Sequence, residues 1–406
     1  MALGCVGSWG DWVQRKLGEV ADFKNGMNFS KGAMGHGHPF VNLQNLFGRT
    51  LVDTSSLGFA ESTDQQRIDY NLQKGDVLFV RSSVKPDGVG EAAIVPCDLP
   101  DTTYSGFIIR CRMTDGFSDD FKQFLFGTNA FRTQMLNNAT TSANTNINQD
   151  SLCGMTIAFP SGPEQTAIGT FFRALDSIIA FQRRKLDGLR QLKKAYLEQM
   201  FPHLGETAPR MRFAGFGDPW VRRKLGEVAD FFPGLTYSPD DVVESEGTLV
   251  LRSSNVFSGE IVDADNVFVD SRVVNCNNVA IGDIIVVVRN GSRSLIGKHA
   301  QIKKEMPSTV IGAFMTGLRS RRPEIVNALL DTAQFDIEIA KNLGATINQI
   351  TTGAFKKMEF FMPFQSEEQT AIGTFFRILD DAVTFNTREL SALRDLKNVY
   401  LKKLFV

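Results

Sequence analysis

Arg81-Ser82-Ser83-Val84-Lys85 and Arg289-Asn290-Gly291-Ser292-Arg293 are two short basic and small-polar runs in which every side chain except that of Val84, and excepting Gly291, can donate or accept hydrogen bonds at close range. An arginine can bond a guanine edge with two parallel N–H groups and an asparagine can do the same for adenine, whereas serine, lysine and main-chain amides mostly hold phosphates. Arg81, Ser82, Lys85, Arg289, Asn290 and Arg293, with Lys298 a few residues on, are therefore candidates for contact with a nucleic acid. The same residue types also make ordinary solvated turns, and it is their recurrence in both halves of the chain that favours the more specific reading. A second candidate is the asparagine-rich run at residues 140–149, with Asn144, Asn146 and Asn148, matched at residues 344–349 by a segment containing Asn348. These amides could read bases, or equally cap a helix or close a turn.

Bond-breaking chemistry finds little support. There is no Gly-x-x-x-x-Gly-Lys-Ser/Thr phosphate loop, no Gly-x-Gly-x-x-Gly and no His-Glu-x-x-His. Asn-Pro-Pro-Tyr/Phe, used in amino-methyl transfer, and the Glu-x-Lys pair of many nucleases are also missing. His36-Gly37-His38 is a close pair, but no cysteine or carboxylate cluster accompanies it, so a glycine-rich loop is the better reading and no metal site is expected. The five cysteines are scattered without a Cys-x-x-Cys pair and read as reduced thiols. The longest strongly apolar stretch, residues 284–288, is far short of a membrane span, and the N-terminus lacks the pattern of a secretory signal, which leads to the expectation of a cytoplasmic protein. Lysine and arginine number 44 against 45 acidic residues, so net charge gives no general affinity for nucleic acid and only segregated charge could supply it.

The elements that must position these loops are set by an internal repeat. Trp12-Val13-Gln14-Arg15-Lys16-Leu17-Gly18-Glu19-Val20-Ala21-Asp22-Phe23 recurs from Trp220 to Phe231 with one difference, and Glu164-Gln165-Thr166-Ala167-Ile168-Gly169-Thr170-Phe171-Phe172-Arg173 recurs without change from Glu368 to Arg377. Between these blocks, residues 24–160 and 232–363 share little, so one frame carries two different inserts. In each insert a Gly-Asp turn leads into an apolar run, Val77-Leu78-Phe79-Val80 or Ile284-Ile285-Val286-Val287-Val288, which reads as a buried strand ending at the candidate loop.

Each second block opens a long helix. Pro160-Ser161-Gly162-Pro163-Glu164 has capping-box spacing, and Pro202 stops the first helix. Spacing of four and three picks out Ile168, Phe172, Leu175, Ile179, Gln182, Leu186, Leu189, Lys193, Tyr196 and Met200 as a seam with two polar breaks. The second helix repeats it at Ile372, Phe376, Leu379, Val383, Asn386, Leu390, Leu393, Lys397, Tyr400 and Leu404. The plain alternative is that each helix packs on its own domain. Connectivity makes the pair antiparallel, because one helix ends and the other begins at the second insert. The expectation is an α+β chain: globular α/β domains at 1–160 and 206–363, helices at 161–205 and 364–406 forming an antiparallel coiled coil, and an internal pseudo-two-fold axis.

In this order the two frame blocks, with Leu192-Lys193-Lys194-Ala195-Tyr196-Leu197 and Leu396-Lys397-Asn398-Val399-Tyr400-Leu401 closing the helices, resemble the specificity subunits of Type I restriction-modification systems over essentially the whole chain. The resemblance implies two target-recognition domains, each reading one half of an asymmetric, bipartite site in double-stranded DNA, with the helix pair setting the spacer. It implies a non-catalytic subunit without a cofactor of its own. Two methyltransferase subunits using S-adenosylmethionine, and restriction subunits using ATP and Mg2+, would be its partners, and the seam residues would serve the helix pair and the partner interface. The competing readings are a double-headed adaptor that grips proteins or glycans, which would lack salt-sensitive binding to duplex DNA, and a stand-alone enzyme, which would act without added subunits.

Overall fold

The computed structural model describes residues 12–114, 116–141, 144–343 and 348–405. The N-terminal segment read for a secretory signal and residues 344–347 of the second asparagine-bearing run lie outside the described residues. The chain divides into two compact units, Met1–Phe181 with Leu390–Val406, and Gln182–Glu389, so each long helix contributes to both.

The first unit is built on a four-stranded antiparallel sheet of β1 (Ala21–Asn25), β2 (Val77–Val80), β3 (Ala92–Ile94) and β4 (Ile108–Met113), in the order β1-β4-β2-β3. In the second unit, β5 (Asp230–Pro233), β6 (Ile284–Val287), β7 (His299–Gln301) and β8 (Met315–Arg319) have the same order, β5-β8-β6-β7. Every residue of β2 and β6 is buried, as an uninterrupted apolar run demands when both faces of a central strand are covered. The Gly-Asp turns before these strands hold more than a change of direction. Asp76 accepts both Nε and Nη2 of Arg112 at 2.7 Å, and Asp283 accepts Arg319 at 2.7 and 2.6 Å. Each aspartate also takes a backbone N–H at 2.8 Å, from Gln73 or Ala280, so a fully buried carboxylate has its lone pairs satisfied.

The frame blocks close on themselves. Val13–Lys16 pairs antiparallel with Thr156–Phe159, and Val221–Lys224 pairs in the same way with Glu359–Met362. The strand that enters each insert thus lies beside the strand that leaves it, immediately before a long helix.

The long helices are α1 (Gly162–Met200) and α2 (Ser366–Leu404), 39 residues each and about 58 Å long at ~1.5 Å per residue. Every seam position named above is buried or half-buried. Both sequence readings of the helices are realised, in different stretches. The first turns pack on their own domains: Ile168 and Phe172 join the core around Phe121 and Phe124, and Ile372 and Phe376 join that around Ile325 and Val326. Gly169 and Gly373 permit this approach, since a Cβ would stand 2.5 Å from the Asp120 backbone or 2.8 Å from the Ile325 nitrogen.

Within each unit the helices also meet antiparallel. In the first, the Phe171 and Tyr400 rings lie 5.1 Å apart and Lys397 Nζ is 2.6 Å from Asp176. In the second, Tyr196 and Phe375 lie 4.9 Å apart and Lys193 pairs with Asp380. A shift of 204 residues carries Phe171 to Phe375, Asp176 to Asp380, Tyr196 to Tyr400 and Lys193 to Lys397, so the same contact is made twice with the helices exchanging roles. The other polar break also has side-chain or backbone partners, Gln182 donating to Glu389 and Asn386 to the Ala382 carbonyl.

Candidate nucleic-acid interface

In both units the loop after the central strand and the asparagine-bearing run, distant in sequence, are brought side by side. In the first unit Ser82 and Ser83 pair with Asn146 and Thr145, and the Ile147 N–H donates to the Arg81 carbonyl at 2.9 Å. In the second, Arg289 bridges Gln349 and the Asn290 N–H donates to the Asn348 carbonyl at 3.2 Å. Backbone pairing therefore builds one composite loop surface per unit from two candidates found independently.

The side chains divide by what they touch. Asn148 accepts the Ser151 N–H at 2.8 Å and caps the short helix Gln149–Gly154, while Asn348 donates to the Gly291 carbonyl at 2.9 Å. Asn146 donates to the Asn144 carbonyl, and Asn290 donates to Ser253 Oγ while accepting the Ser292 N–H. Turn-closing, one of the two roles open to these amides, is thus occupied at Asn146, Asn148, Asn290 and Asn348. Lys298 Nζ donates to the Ser253 carbonyl at 3.3 Å, and burial holds its ammonium below the usual lysine range. Arg81 is half-buried and its Nη1 reaches the Gly106 carbonyl at 3.3 Å.

Lys85, Arg289 and Arg293 are exposed. The Arg289 guanidinium lies over the Phe314 ring at 4.8 Å, which orients it without neutralising it. In the first unit, Ser82, Ser83, Lys85 and Asn144 line a groove of about 720 Å³ with Phe47 and Phe107. Sequence reasoning missed these two phenylalanines and the Asp76–Arg112 and Asp283–Arg319 pairs; the signal for the pairs was the recurrence of Gly-Asp with an arginine near the end of the last sheet strand.

Each of the two domains, of one topology, presents a composite polar loop at the end of its central strand, so the chain is a duplicated α/β fold carrying two different inserts. The chain belongs to the family of the Type I restriction modification DNA specificity domain, whose model matches residues 10–191 and again 217–394. Among solved structures, the Type I restriction-modification system S subunit from M. genitalium is similar at 15% identity, with a TM-score of 0.64, over 98% of this chain and 96% of that one. A chain from a structure describing complex assembly and conformational transition of the Type I system is similar at 16% identity and a TM-score of 0.54, over 97% of each chain. These likenesses concern the fold. No curated protein matches the chain by sequence.

Proposed function

We propose that this chain reads a bipartite, asymmetric site in duplex DNA, one half-site per domain, and recruits two methyltransferase subunits and the restriction subunits of a Type I complex. The observation that carries this reading is the composite loop built twice on the same sheet topology with different residues, Arg81-Ser82-Ser83-Val84-Lys85 in one unit and Arg289-Asn290-Gly291-Ser292-Arg293 in the other. One scaffold with two side-chain sets reads two unlike half-sites, and the long helices set the spacer between them. Arg289 and Arg293 suit base edges and Lys85 suits a phosphate.

The subunit makes and breaks no bond itself; S-adenosylmethionine, ATP and Mg2+ serve the partner subunits. Seam residues such as Leu175, Ile179, Leu186, Leu189, Val383, Leu390 and Leu393 are buried or half-buried, which leaves partner docking to the outward faces of the helices. Phe181 and Phe385, 204 residues apart and each 59% exposed, support docking there.

The test is co-expression with the methyltransferase subunit of the same Type I system, followed by mapping of methylated adenines. A split, asymmetric motif with a fixed unread gap is expected, and replacing residues 24–160 with another insert should change one half of it. Absence of a motif, or a motif unmoved by that exchange, overturns the reading.

A further inference from the structure

Phe107 and Phe314 are large apolar side chains left 55% and 54% exposed at equivalent places, 207 residues apart, in inserts that otherwise share little. Each is the residue just before the last sheet strand, β4 or β8. A second pair repeats the pattern: Asn45-Leu46-Phe47 recurs as Asn255-Val256-Phe257, with Phe47 38% and Phe257 62% exposed. Single exposed phenylalanines are ordinary, but two per unit at matching positions are a built feature.

Their backbones are held firmly. The Gly106 N–H donates to the Met27 carbonyl at 2.6 Å, and the Arg81 N–H donates to the Phe107 carbonyl at 2.8 Å; Val288 and Arg289 donate to the Phe314 carbonyl at 3.0 and 3.2 Å. Frame-adjacent glycines clear the way for these turns, for a Cβ at Gly26 would stand 2.1 Å from the Ser105 oxygen and one at Gly234 2.0 Å from the Gly312 oxygen. Asn45 and Asn255 are fully buried and tie their loops from within, donating to the Asp53 and Ala264 carbonyls at 2.9 and 2.7 Å while accepting the Asn42 and Arg252 N–H groups at 2.9 Å. Each loop is thus braced from inside while its phenylalanine points into solvent.

Three of these rings sit among the candidate DNA contacts. Phe47 and Phe107 line one groove with Ser82, Lys85 and Asn144, and Phe314 carries the Arg289 guanidinium. A phenyl ring has no hydrogen bond to offer a base edge. What it can detect in the major groove is the C5-methyl group, which thymine alone of the four bases presents there.

We propose that Phe107 and Phe314, the first with Phe47 in the same groove, are specificity-determining residues that read thymine by contact with its C5-methyl group, one half-site each. This rests on the DNA-reading function proposed above. Wedging between base steps from the minor groove is disfavoured by the arginine, serine and asparagine on the same loops, whose chemistry suits base edges.

The test uses the complex of the full chain with its methyltransferase subunits and the mapped target duplex, with each thymine replaced in turn by deoxyuridine, which removes only the methyl group. Binding should fall about fourfold at one position in each half-site, the effect of one buried methyl. Phe107→Ala should bind thymine and uracil alike at its position while keeping the discrimination in the other half-site, and Phe314→Ala should do the reverse. Phe107→Leu should restore part of the preference and shows that the fold is intact. A wild-type complex that binds its site specifically yet is indifferent to every replacement overturns this proposal alone, as does a Phe107→Ala complex that still distinguishes thymine from uracil. A wild-type complex with no preferred site overturns the DNA-reading function itself.

Discussion

Lys193 and Lys397 occupy the same place in the two helix seams, yet their surroundings make their removal unequal. Lys397 meets one carboxylate, Asp176, which keeps 33% of its side chain exposed. Lys193 lies between Asp331, at 2.6 Å, and Asp380, with all three side chains no more than 27% exposed. Burial opposes the Lys193 charge, but Asp331 and Asp380 outweigh it and hold the ammonium above the usual lysine range. Burial likewise raises Asp380, with Lys193 pulling the other way. Replacing Lys193 by Met leaves two carboxylates facing each other without their shared ammonium, with only the His299 ring, 3.6 Å from Asp331, and the more remote Lys303 acting on them, at a cost of about 3 kcal/mol, the low end for a broken buried pair. Lys397→Met leaves one partly solvated carboxylate and costs about 1 kcal/mol.

For units of this size the two losses correspond to Tm decreases of roughly 6–12 °C and 2–4 °C at neutral pH. The Lys193→Met defect should also shrink on acidification. An aspartate whose folded pKa is raised gives its greatest stability below the unfolded value, and that contribution is lost as pH rises through the folded value; without its lysine, Asp380 is shifted further up. The melting difference between Lys193→Met and wild type should therefore narrow as pH falls from 7 toward 4. Equal Tm losses for the two variants, or a Lys193→Met loss that does not change with pH, would refute the reasoning.

Gly169→Ala should destabilise the chain by about 1–3 kcal/mol because its Cβ meets backbone at 2.5 Å, whereas Gly188→Ala, with nothing within 4 Å, should raise Tm through about 0.5–1 kcal/mol of helix propensity. Lys85→Ala should weaken DNA binding about evenly across sequences and reduce the salt slope by about 1, while Arg289→Ala should relax specificity in one half-site by about 1–3 kcal/mol; binding titrations at two or more salt concentrations separate the two. Adding or removing one heptad in both α1 and α2 should change the tolerated spacer in methylation maps and leave both half-sites unaltered.

The frame was the most legible part of the molecule. Two recurring blocks marked where each insert opens and closes, and spacing of four and three marked a seam that lies within the observed helices, Gly162–Met200 and Ser366–Leu404. Tertiary context decided the rest. Asparagines that cap, close turns or face bases share one chemistry, so only the fold shows that Asn148 and Asn348 hold backbone groups. The polar breaks at Lys193 and Lys397 look alike in sequence, and their difference comes from Asp331, an insert residue that no helical pattern could place beside them. Phe107 and Phe314 carry no motif that sets them apart; their exposure accompanies turns pinned by Gly26 and Gly234, which local pattern does not reveal.

The division of the chain has a consequence for the order in which it can fold as it leaves the ribosome. The second unit is one continuous segment, 182–389, and can be completed as soon as it has been made. The first is interrupted. Its core includes Phe405, whose ring lies 6.2 Å from Trp12, 5.1 Å from Phe121 and 5.8 Å from Phe172, with Tyr400, Leu401 and Leu404 packed alongside. Those side chains are synthesised only after the whole second unit, so the domain that begins first is finished last, and until then an aromatic face waits uncovered for its final piece.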